Sequence, residues 1–162
     1  MFIETVLKDN GSYKSNIIMA LSQSQDICSL LLNKKDFTEE DTDNLIYTQI
    51  FPYLYVDDAQ IEQKSYVCIE VDVPEIRTDA IKYMRITIWA YCYKDIMKYT
   101  KKGYVGTRAD ILADMVERTL RKYCNNLGIG NLQLTSVAWI KPQSKYYGKQ
   151  LIFSASDFKY KG

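Results

Sequence analysis

The chain contains no histidine. That absence removes the Ser-His-Asp and Cys-His nucleophile arrangements and every imidazole-ligated metal site. Four cysteines occur, at 28, 68, 92 and 124, and no two of them form a Cys-x-x-Cys pair. A zinc ribbon or a thioredoxin-like site is therefore disfavoured, and the thiols read as buried free groups that fill apolar gaps. No apolar run approaches the ~20 residues that a bilayer-crossing helix needs, so no membrane partner is expected. The start, Met1-Phe2-Ile3-Glu4-Thr5, lacks a basic stretch followed by an apolar one, which predicts no signal peptide and retention in a cytosol. Gly128-Ile129-Gly130 follows a helical pattern and lacks a third glycine, so it is no dinucleotide loop, and no P-loop occurs. Net charge is +1, too small for a global field that would steer the chain to a polyanion. The sequence thus predicts no catalytic residue, no metal and no cofactor.

What is present suits one globular domain over 1–162. Apolar residues make up 47% and charged residues 25% of the 162, a composition that buries a core. Tyrosine is the outlier, with 14 copies, and it favours protein–protein contacts because its ring buries area while its hydroxyl stays hydrated. Residues 1–14 end in the turn signal Asp9-Asn10-Gly11-Ser12 and read as a short N-terminal arm. From Ser15 to about Asn33, Ile17, Ala20, Leu21, Ser24, Cys28 and Leu31 fall at helical spacing. Thr38, with Asp41 three residues on, can open a single turn. Ser65–Val73 alternates as a half-buried strand closed by Pro74, and Met84–Tyr93 alternates likewise. The short connection makes them an antiparallel hairpin. Thr107 and Asp110 open a helix that runs to about Asn125, with Ile111, Leu112, Met115, Val116, Leu120 and Tyr123 as its buried stripe. Asp114–Arg118 and Glu117–Arg121 form pairs on its wet side. Leu132–Ile140 and Lys149–Asp157 are two more strands, joined through Pro142 and Gly148. The order predicts an α+β fold, an antiparallel sheet of about four strands with helices packed on one face.

Three features carry candidate chemistry. Glu70 and Asp72 share a strand face and can be read as an acid–base or Mg²⁺ pair or as solvated charge. Acidic pairs such as Asp57-Asp58 and Glu39-Glu40 read as loop charge. Residues 94–106 hold four lysines and two glycines and read as a mobile loop. There Lys98, Lys101, Lys102 and Tyr104 could meet phosphates and stack on bases, contacting genomic DNA without reading its sequence. The strand face carrying Arg85, Trp89, Tyr91 and Tyr93 is too aromatic for water alone, which marks an oligomer or partner interface unless a helix covers it.

The segment from Met84 to Met97, followed by Gly106-Thr-Arg-Ala-Asp-Ile-Leu-Ala-Asp114, resembles tail-terminator (tail-completion) proteins of long-tailed phages. Asp95, Gly106, Arg108 and Asp110 fit that family's shape, an acidic residue past an outward strand and then a Gly-x-Arg-x-Asp-like helix start. The resemblance spans roughly 45–157. It implies a virion protein, made in the host cytoplasm, that forms a ring, commonly a hexamer, at the head-proximal end of the tail. The ring ends tail-tube growth and docks on the head connector, so the partners would be copies of itself, the tail-tube protein and neck proteins. Another head–tail connector, or a nucleic-acid-binding module using the 94–106 loop, stands as the alternative.

Overall fold

A computed structural model describes residues 5–59, 61–78, 81–123 and 132–158. Four helices, Val6–Ser22 (α1), Gln25–Leu32 (α2), Glu39–Asp43 (α3) and Arg108–Tyr123 (α4), accompany five strands. The strands are Ile50–Phe51 (β1), Ser65–Thr78 (β2), Ile81–Tyr93 (β3), Gln133–Gln143 (β4) and Tyr146–Phe158 (β5). They form one sheet in the order β1-β2-β3-β5-β4, with β1 parallel to β2 and every other pair antiparallel. The α+β class expected from the sequence is the class observed, with the two-residue β1 as an additional strand.

The main core lies between the helices and one sheet face. Ile17 and Leu21 of α1, Ile27 and Leu30 of α2, and Leu112, Met115 and Val116 of α4 meet Val67, Ile69, Ile86, Ile88 and Leu151 there. The stripe on α4 is the one its spacing predicts, apart from Tyr123, whose side chain lies outside the described residues. Thr107 and Asp110 make the reciprocal cap: the Thr107 amide donates to Asp110 Oδ2 at 3.0 Å and the Asp110 amide to Thr107 Oγ1 at 3.2 Å. Burial pushes the Asp110 carboxyl up, but those Thr107 bonds and nearby Lys149 outweigh it and hold the group below its ordinary value. Replacing Asp110 with alanine should cost about 1 kcal/mol. Asp114→Ala, which removes only the exposed ion pair with Arg118, should cost about 0.5 kcal/mol or less. Urea melts of the two variants check the ranking.

Several boundaries differ from expectation. No arm spans 6–14; those residues form the first half of α1. Thr5 caps the helix and Asp9, in place of turning the chain, pairs with Lys82 of β3 at 2.7 Å in a buried site. Gly11 then rides inside the helix with open space where a Cβ would stand. The long predicted helix breaks at Gln23-Ser24, where the Ser24 hydroxyl caps α2. Pro74 does not end β2; it sits at a register shift between Asp72 and Glu75, where the ladder does not need its missing N–H. Pro142 likewise lies in β4 at a shift between Ile140 and Gln143, and Gly148 lies inside β5, paired with Tyr91 and Ile140.

The second sheet face has its own small core, which overturns the interface reading of Tyr91 and Tyr93. Both are buried, with Phe51, Tyr66, Cys68 and Tyr146. The chain's own Tyr55, Val56 and Glu62 lie over them. Tyr91 Oη donates to the Tyr55 carbonyl and Tyr146 Oη to the Glu62 carbonyl, the latter at 2.9 Å. Tyr66 and Tyr91 stack with centroids 5.2 Å apart. At this end of the sheet the tyrosines face each other and the backbone, not another subunit.

Candidate assembly edge and lysine cleft

The two sheet edges are treated differently. On the β1 side the chain covers itself. Beyond the end of β1, the Val71 carbonyl of β2 accepts from Asn10 Nδ2 of α1 at 2.9 Å, and the Val71 amide donates to Glu70 Oε1 at 3.0 Å. Glu70 also pairs with Lys14 of α1 at 2.5 Å. Asp72 pairs instead with Arg85 across the ladder at 3.7 Å. Glu70 and Asp72 thus hold different partners and form no shared acid–base pair.

Among the described residues, no such cover lies on 133–140 of the β4 edge. Not one of its 11 residues is buried, although β5 beside it is buried at Leu151 and Phe153. Val137 pairs with Leu151 and Trp139 with Lys149, so both lie on the helix-side face of the sheet. They are 54% and 64% exposed. Residues 133–140 carry no charge and no proline; Lys141 and Pro142 come only at the far end. A long, apolar, uncharged edge is the kind that natural proteins blunt unless another chain adds to it. Trp139 also lines a 480 Å³ cleft with Tyr147, Met97 and Ala109, flanked by Asp110 and Lys149, which are 3.6 Å apart. The Trp139 and Tyr147 rings lie nearly parallel, 6.4 Å apart.

The remaining sequence candidates separate into structural and accessible groups. Arg85 is exposed and Trp89 half-buried, with Trp89 Nε1 donating to Gln150 Oε1 at 3.0 Å. Gly106 has φ +121°, and a Cβ there would meet Asp110 Cβ at 2.7 Å, so glycine is required at the entry to α4. Arg108 is buried and structural: its guanidinium donates to the carbonyls of Ile96 and Leu30 and to Asn33 Oδ1, and lies 4.5 Å from the Tyr99 ring centre. Asp95 is exposed.

The 94–106 segment, read as mobile, makes several fixed contacts. Lys101 Nζ lies 3.4 Å from Asp26 Oδ1 on α2, Tyr104 Oη donates to Asp26 Oδ2 at 3.2 Å, and Arg118 donates to the Gly103 carbonyl at 3.0 Å. Lys101 and Lys102 line a 520 Å³ cleft together with Lys34 and Lys35 from the end of α2. Lys98, although exposed, does not line it, and Tyr104 turns inward. In the sequence Lys34 and Lys35 mark only the end of the helical pattern. A Lys-Lys pair directly after a helix, mirrored by a second Lys-Lys pair, was the available signal.

Among the described residues, no three histidine, cysteine or carboxylate side chains gather as they would to hold a metal ion, and no helix is long and apolar enough to cross a membrane. The YomW family model matches residues 24–155, from the N-cap of α2 into β5. The chain belongs to the YomW family. That family is phage-derived and SPbeta prophage-like, which makes this a phage-associated protein. The YomW match takes in both the lysine cleft and the β4 edge, and leaves α1 outside. No curated protein matches the chain at a significant level.

Proposed function

We propose that the chain is a non-enzymatic structural protein of a tailed-phage virion that assembles through its β4 edge. The observation that carries this is the contrast between edges: β1 and the side chains of Asn10 and Glu70 cover the β2 edge as far as Val71, while β4 offers eight consecutive uncharged residues with Val137 and Trp139 bare. The phage-derived family supports the setting. The finer role is that of a tail terminator or neck protein, a ring of identical subunits between tail tube and head connector. A ring uses a heterologous contact, in which an edge on one copy meets a different surface on the next. The β4 strand and the Trp139 cleft suit such a contact.

The double variant Val137→Lys/Trp139→Lys should melt like the parent, because neither side chain is buried. It should lose assembly, read as a fall in mass by light scattering, alone or with tail tubes added. In phage carrying the variant, tails of uncontrolled length mark a terminator, and normal tails unattached to heads mark a neck protein. Infectious virions in parental yield would sink the proposal.

A further inference from the structure

We propose that the cleft between the end of α2 and residues 99–102 binds the phosphodiester backbone of a nucleic acid without reading its sequence. The site is independent of the β4 edge and needs no second copy of the chain. Two lysine pairs far apart in sequence, Lys34-Lys35 and Lys101-Lys102, line one 520 Å³ cleft with Ser29 and Asn33. Asp41 holds Lys34 at 3.4 Å and Asp26 holds Lys101 at 3.4 Å. Lys35 and Lys102 are exposed and have no acidic partner among the described residues. Asp36, also exposed, follows Lys35.

A fifth cation lies beside the cleft. Arg108 is buried, and its bonds run to two carbonyls and to the Asn33 side-chain oxygen, not to a carboxylate. Its charge is softened by the carbonyl end of α2 but not cancelled. By accepting from Arg108, the Asn33 oxygen fixes its amide and leaves Nδ2 as a neutral donor at the cleft wall. The local excess is therefore positive although the whole chain carries only +1.

The donor set selects the ligand. Lysines act as point charges on long stems, and the one guanidinium is buried with each nitrogen already bonded to the protein, so no planar fork is presented to read a base edge. The one aromatic in the lining, Tyr99, has Arg108 over its ring, and no aliphatic side chain lines the cleft to enter a lipid surface; Val105, 93% exposed, lies outside the lining. A polymer with a phosphate at every step matches two lysine pairs lining one cleft.

The test is anisotropy of a labelled, random-sequence duplex of about 20 bp with the full chain, titrated from about 50 to 200 mM salt. Each lysine–phosphate contact contributes about 0.9 to the slope of log affinity against log salt. The variant Lys35→Gln/Lys101→Gln/Lys102→Gln should flatten the slope by about 2 to 3 and lose at least about tenfold in affinity at the lower salt, with an unchanged melting curve. The single variant Lys102→Glu should shift both in the same direction, which guards against a fold defect in the triple. The charge-matched control Lys64→Gln/Arg77→Gln/Arg121→Gln should bind like the parent. The proposal is overturned if the parent does not bind the duplex at the lower salt or if control and cleft variants lose equally. It is also overturned if vesicles rich in phosphatidylserine, or a poly-glutamate peptide, displace the duplex at matched charge.

Discussion

Gly148→Ala should destabilise the domain by about 3 kcal/mol or more, near the upper end of what single substitutions do. The position looks harmless in sequence, a glycine between aromatic and basic residues. In the structure it lies inside β5, opposite Tyr91 of β3, where the two backbones approach unusually closely. A Cβ built there would stand 2.1 Å from the Ala90 carbonyl oxygen and 2.5 Å from the Tyr91 Cα. Both obstacles are main chain, so no side-chain rotation relieves them. The strands would have to separate, breaking ladder hydrogen bonds and lifting Tyr91 from its stack on Tyr66 and its edge contact with Tyr146. Gly103→Ala is the contrast: its φ of +89° is unfavourable to alanine, but no atom lies within 4 Å of the added methyl. That change should cost about 1 kcal/mol. Thermal melts of the two variants decide it, and a Gly148→Ala protein as stable as Gly103→Ala would refute the close-approach account.

The same site shows where local sequence reading reaches its limit. Alternation in 65–73 and 84–93 identified two strands and their pairing, because period-2 burial on the helix side is a local signal. It could not show that Tyr66, Cys68, Tyr91 and Tyr93 on the opposite side are buried too, since the cover comes from Phe51, Tyr55, Val56 and Glu62 and from Tyr146 on β5. The Thr107/Asp110 cap and the α4 stripe were legible for the converse reason: every participant lies within a few turns. Asp9-Asn10-Gly11-Ser12 misled because tertiary contacts outweighed propensity. Asp9 reaches Lys82 and Asn10 reaches Val71, and both bonds require the backbone to be helical there. The β4 segment read as an ordinary strand; its exposure follows from strand order, which places it outermost, and strand order is not written in any window of the chain. Lys101 and Lys102 were noticed as a basic loop, but their meeting with Lys34 and Lys35 depends on how α2 packs beside that loop.

Raising the pH above about 9 should unfold the protein cooperatively, well before simple tyrosine ionisation would be complete in an unfolded chain. Cys28, Cys68 and Cys92 are buried and free, and burial pushes their thiols from 9.0 up to about 11, 11 and 12 respectively. Burial also pushes Tyr146 up to about 12 and raises Tyr66 and Tyr91 further, helped in Tyr66 by nearby Tyr146 and Asp57 and in Tyr91 by Cys68. In every case the folded state holds its proton more tightly than the unfolded state. The stability linked to these groups is therefore complete below the unfolded values. It drains as pH rises from about 9 through the raised folded values. Each group contributes at most about 1.4 kcal/mol per pH unit in that window, so the three thiols together remove at most about 4 kcal/mol per unit, near pH 10. Above about pH 10 the tyrosines steepen the loss. A domain of this size holds about 5–15 kcal/mol, so the midpoint should fall near pH 10 to 11. Circular dichroism at constant temperature under reducing conditions gives the transition. Cys92→Ala removes one of the linked thiols and should flatten the dependence by about one proton. A melting temperature that holds constant from pH 8 to pH 10.5 would show that these groups are not sealed in the core as the packing of α2, β2, β3 and β5 places them.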